Sequence, residues 1–183
     1  ISWGELYYNG YVYPNVNLNV LDTFLPGITY LSPFTYGFTT DGSLVDLDDS
    51  IVRQHLSGSG VTALMHISTL TEAGTFSSER GNDFLQNEAV WGTLMDSILL
   101  TMEQKGYDGL DVDFEYIAAE RKDAYIAFLS YAAGRLHENG YFLMTALAPK
   151  TSAAQRGLLY ESHDYYGIGR VSDYVLLMTY EWG

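Results

Sequence analysis

The sequence predicts an α/β fold, a (β/α)8 barrel of which these 183 residues supply about the first six βα units. Three observations predict it. Segments with an apolar helical stripe alternate with short runs rich in apolar and β-branched residues, and that alternation gives a parallel sheet with helices outside it. Glycine punctuates the change from helix to strand, as at Gly106 and Gly140, where a left-handed residue lets the chain turn back. Polar side chains gather at the carboxyl ends of the strands (Tyr36 and Thr39, Ser68, Glu115, Tyr180 and Glu181), which is where TIM barrels carry their sites. A doubly wound open sheet is the alternative, but no glycine-rich phosphate loop follows the first strand.

The elements follow in order. An opening strand is expected near residues 5–12. A helix over 16–25 runs into Pro26-Gly27 and then a strand over 28–36. Asp48-Asp49-Ser50 is a good N-terminal cap for a helix over 51–56, which stops at Gly58-Ser59-Gly60 before a strand over 61–68. The loop over 71–81, rich in Ser, Thr and Gly, reads as exposed, and Arg80 within it reads as solvated rather than as a substrate contact. Residues 87–105 place Val90, Leu94, Ile98 and Met102 on one helical stripe; residues 121–139 do the same with Tyr125, Phe128, Leu129, Ala132 and Leu136, ahead of a strand over 141–148. A less regular unit over 158–166 leads to a last strand over 174–180.

Six strands are not eight, and a closed barrel of this kind takes about 250 residues. The chain starts with Ile1 and stops just after its sixth strand, so the expectation is one incomplete domain over 1–183, cut from something longer. An open barrel leaves strand edges and an apolar floor uncovered, and self-association is expected from that.

Charge narrows the partners. Nine Lys and Arg against 23 Asp and Glu give a net charge of −14, which disfavours nucleic acid and anionic membranes and is compatible with a neutral polysaccharide. No run reaches membrane-span length, and no basic segment followed by an apolar one marks a signal peptide. Cysteine is absent, so neither a disulfide framework nor thiol chemistry is available. The 16 Tyr residues serve packing in general; those at strand ends are candidates for stacking on sugar rings.

The run Tyr107-Asp108-Gly109-Leu110-Asp111-Val112-Asp113-Phe114-Glu115 breaks the local rules most strongly. Its period of two is the strand period, with Asp111, Asp113 and Glu115 on one face and Leu110, Val112 and Phe114 on the other. Strands avoid Asp, and like charges this close cannot all stay ionised, so at least one carboxyl is expected to titrate high. A carboxylic acid held protonated near neutral pH is what a general acid needs, and Glu115, last in the row, is where substrate can reach it. A calcium loop would need glycine where Tyr116 stands. A metal–carboxylate cluster finds no His or Asn nearby in sequence to complete it. A solvated acidic edge is at odds with the bulky apolar face. His66, in the third strand, reads as a satisfied core histidine rather than a catalyst.

The run from Asp108 to Glu115 resembles the DGxDxDxE signature of family 18 glycoside hydrolases, the chitinase family, at every fixed position. Leu177-Met178-Thr179-Tyr180-Glu181-Trp182-Gly183 is similar to a second block of that family, usually Met-x-Tyr-Asp, and its particular form is similar to the spore-cortex-lytic branch that acts on peptidoglycan. The resemblance implies a barrel of family 18 type, no cofactor and no metal, a peptidoglycan or chitin-like substrate, and a cell-wall, spore-associated or extracellular location in a bacterium. It implies substrate-assisted retaining catalysis, an exception among retaining glycosidases. In that scheme Glu115 is the acid, Asp113 holds the sugar acetamido N–H, Asp111 lies behind it and shares a proton, and Tyr180 orients the acetamido oxygen. Glu181 departs from the usual Asp by one methylene; with Tyr8, Tyr36 and Trp182 it is a candidate substrate contact. Asp108 is expected to serve the turn into the strand. The aromatic floor that the family places in its eighth strand has no counterpart here. Sugar-binding relatives without catalysis typically lack the terminal glutamate, which is present as Glu115.

Overall fold

The structure, a computed structural model, describes residues 7–147 and 165–178. In chain order the elements are β1 (Asn9–Val12), α1 (Leu18–Phe24), β2 (Tyr30–Pro33), β3 (Gly37–Phe38), β4 (Leu44–Val45), α2 (Ser50–Leu56), β5 (Thr62–Ser68), α3 (Ser78–Gln86), α4 (Trp91–Lys105), β6 (Gly109–Asp113), α5 (Lys122–Glu138), β7 (Phe142–Leu147), α6 (Tyr165–Val171) and β8 (Tyr174–Leu177). Six strands form one sheet in the order β1-β2-β5-β6-β7-β8, and every pairing in it is parallel. Each of these strands lies beside its predecessor. That is the winding of a barrel; a doubly wound sheet reverses its order at the switch point.

The expected helix-to-strand turns are present: Gly106 and Gly140 take φ values of 75° and 78°, in the left-handed region. The sheet's pleat then sorts residues into two layers. Met65, Ile67, Leu110, Val112, Phe114 and Leu143 point outward into the main core with Leu94, Ile98 and Met102 of α4 and Phe128, Leu129 and Leu136 of α5. Alternate positions point to the barrel interior, where Tyr30, Leu64 and Met144 form a floor. Burying each large outward side chain contributes roughly 1.5–3 kcal/mol, which offsets the cost of placing carboxylates on the opposite face of the same strand.

Three local readings are corrected. Residues 71–81 are not an exposed loop throughout: α3 begins within them, capped by Ser77, whose Oγ accepts from Arg80 N at 3.1 Å. The polar run at its start masked Phe84 and Leu85, both fully buried. Arg80 donates to Phe38 O at 2.7 Å and pairs with Glu72, so it ties α3 to the hairpin of β3 and β4 instead of standing in solvent. Asp49 precedes α2 but its side chain does not cap it; Asp48 Oδ1 takes the Ser50 hydroxyl at 2.7 Å, while Asp49 turns inward.

Candidate active site

Strand β6 carries the centre. Gly109 starts it, and a Cβ there would lie 2.5 Å from the Phe142 ring, so glycine is what lets β6 and β7 pack at this point. Asp108 keeps to the turn, its backbone N–H donating to Ala63 O at 3.2 Å. Asp111 and Asp113 then share the inward face, 0% and 5% exposed. Glu115 stands just past the strand end, half-buried, in the wall of a cavity of about 740 Å³ that Asp113 also lines. Tyr116 follows at φ 57°, a left-handed conformation uncommon for a bulky residue, and turns the chain sharply beside the acid.

Neighbouring strands supply the surroundings. Ser32 Oγ of β2 donates to Asp111 Oδ2 at 3.0 Å, and Asn9 Nδ2 of β1 reaches the same oxygen at 3.5 Å. His66 of β5, fully buried, sets Nε2 3.1 Å from Asp113 Oδ2 and Nδ1 2.6 Å from Thr35 Oγ1. Asp111 Oδ1 and Asp113 Oδ1 have no hydrogen-bond partner among the described residues.

Electrostatics follow from this packing. Burial raises Asp111 to about 6; the charge of His66 and hydrogen bonds from Ser32 and Tyr11 pull it down, while Asp113 pushes it up. Burial acts to lower His66, but the hydrogen bond to Asp113 and the charges of Asp111, Asp113 and Glu115 outweigh it and hold the imidazole above its ordinary value. The expected high-titrating carboxyl in the row is thus present at Asp111. Among the described residues, no three His, Asp or Glu side chains converge to hold a metal ion.

The remaining candidates divide. Tyr36 is not at the cavity. It is fully buried in the outer core, its hydroxyl donating to Asp49 Oδ2 at 3.0 Å and accepting from Lys105 Nζ at 2.8 Å, because its strand parity points it away from the barrel interior. Tyr8 is 62% exposed just before β1, at the amino end of the sheet, opposite Glu115. Tyr180, Glu181 and Trp182 lie outside the described residues.

Sequence reasoning missed the second layer of the site. Asn9, Tyr11, Ser32 and His66 all occupy inward positions, and the i, i+2 spacing of Asn9 with Tyr11 and of His66 with Ser68 was the available signal. It also missed an aromatic wall. Tyr13 and Phe76 flank Phe34 with ring centroids 5.4 and 5.9 Å away, and all three line the cavity.

Comparison with known proteins gives this geometry a context. The cortical fragment-lytic enzyme of Bacillus subtilis is 40% identical over 158 residues, which is 86% of this chain and 36% of that protein. The crystal structure of the spore cortex-lytic enzyme SleL of Bacillus megaterium superposes with a TM-score of 0.86 at 33% identity, covering all of this chain and 45% of that one. A class V chitinase of Pseudomonas fluorescens shares the fold, with a TM-score of 0.85 at 20% identity over 97% of this chain and 55% of that one. The chain therefore spans about a third to a half of the length of these relatives. A model of the glycosyl hydrolases family 18 matches residues 35–183, and the chain belongs to that family.

Proposed function

We propose that this chain is the catalytic-strand portion of a retaining glycosidase that cleaves β-1,4 linkages beside N-acetylglucosamine in spore-cortex peptidoglycan. One observation carries the reading: Asp111, Asp113 and Glu115 stand in line on the inward side of β6, the last two in the wall of one cavity. Glu115 protonates the glycosidic oxygen. The acetamido oxygen of the sugar attacks the anomeric carbon as its bond to the protonated glycosidic oxygen breaks and the aglycone leaves as an alcohol, forming a cyclic oxazolinium ion. Asp113, which lines the cavity beside Glu115, accepts the acetamido N–H, and its charge stabilises the cation as it develops. Asp111, titrating near 6, exchanges its proton within the set. Water then opens the ring with Glu115 as base, so configuration is retained. Tyr13, Phe34 and Phe76 offer the sugar rings a stacking wall.

The cortex substrate rests on the similarity to the cortical fragment-lytic enzyme, and a wall- or spore-associated location goes with it. In the full-length protein, Glu115→Gln is expected to lower hydrolysis of cortex fragments by roughly 10²–10⁴-fold. Undiminished turnover removes Glu115 from the acid role. Faster cleavage of chitotetraose than of cortex fragments reassigns the substrate to chitin.

A further inference from the structure

The geometry points to His66 as a positioning residue: a doubly protonated imidazole that donates to Asp113 Oδ2 and fixes the orientation of the carboxylate that lines the cavity. This rests on the hydrolase reading of Asp113 and Glu115. Both ring nitrogens face oxygens that are placed to accept. Nε2 lies 3.1 Å from the Asp113 carboxylate. Nδ1 lies 2.6 Å from Thr35 Oγ1, whose own proton has the Tyr36 carbonyl to go to at 2.9 Å. A ring whose two nitrogens both donate carries a positive charge.

Burial works against that charge, and the surroundings supply what offsets it. Asp113 and Asp111 face the ring from β6, and Glu115 adds its charge from beyond the strand end. Thr35 faces it from the segment after β2, and the rings of Tyr11 and Phe34 close over it at centroid distances of 4.8 and 4.9 Å. His66 thus sets a cation from the neighbouring strand against the carboxylates of β6. Its effect is to fix which oxygen of Asp113 is spoken for.

The test reads the ring directly. In full-length protein labelled with 15N only at histidine, the His66 resonance, assigned by its loss in His66→Gln, is expected to show both nitrogens protonated at pH 7.5. It should lose one proton at that pH in Asp113→Asn. A singly protonated His66 in the unsubstituted protein at neutral pH overturns the proposal. Kinetics give a second reading. His66→Leu is expected to lower kcat by at least roughly tenfold with KM nearly unchanged, and His66→Gln, which keeps a donor but no charge, to recover part of it. An unchanged kcat in His66→Leu also overturns the proposal. If His66→Leu does not fold, the resonance of the unsubstituted protein still decides. Glu115→Gln separates the two claims: it should lower hydrolysis by roughly 10²–10⁴-fold and leave the imidazolium signal in place. Activity persisting undiminished in Glu115→Gln would remove Glu115 from the acid role and leave the His66 claim standing.

Discussion

Asp111 shows what burial does to a single carboxyl. With no water to solvate its charge, it titrates near 6 instead of at its ordinary 3.8. The folded state therefore holds this proton more tightly than the unfolded chain does. The sign follows: the contribution is fully present below about pH 4 and is lost as pH rises through about 6, for a total of about 3 kcal/mol. Asp111→Asn should remove that slope, gaining on the unsubstituted protein across this window in urea unfolding measured from pH 4 to 7; parallel curves would refute the assignment. Phe76→Ala should raise KM several-fold at nearly constant kcat, because a stacking wall binds ground and transition states alike. An unchanged KM would remove Phe76 from the binding surface. The carboxylate row was legible in the sequence because Asp at alternate strand positions has no structural excuse. Phe76 was not, because an aromatic among Ser, Thr and Gly carries no period that says what it faces.

At the level of elements, strand parity decides more than residue type. Tyr36 has the ring of a sugar platform, but its position turns it outward, where Asp49 meets Tyr36, Arg53 at 2.9 Å and Lys105 at 3.5 Å. Tyr36→Phe is accordingly expected to cost about 1–2 kcal/mol of stability in denaturant unfolding and to leave KM untouched; a raised KM would restore it to the binding surface. Gly109 couples β6 to β7 in the same way. Gly109→Ala would drive a methyl into the Phe142 ring, which packs against Tyr30 and Tyr174, and should cost about 1–3 kcal/mol; a neutral effect would mean the ring has room to move. The helices α4 and α5 were readable because their apolar stripes recur at 3.6 residues and end at glycine. The start of α3 was not, because its first turn is polar and only Phe84 and Leu85 face the core.

Across the whole molecule, the sheet is a curved stretch of barrel with β1 and β8 at its edges among the described residues. Val175 and Leu177 on β8 are 40% and 54% exposed, an apolar strip on the edge strand of the described sheet. We expect the isolated chain to self-associate in light scattering, and a monodisperse monomer would count against it. The six units were legible from alternation; the barrel winding needed in addition the polar strand ends and the missing glycine-rich loop. The meeting of Asn9, Ser32 and His66 around two aspartates was not legible, because nothing local marks a contact that joins Asn9 to Asp111 across 102 positions. That long span bears on how the protein comes to life during refolding. Helical ellipticity, which needs only neighbours in the chain, should return first, and turnover should lag behind it until β1 has found β6.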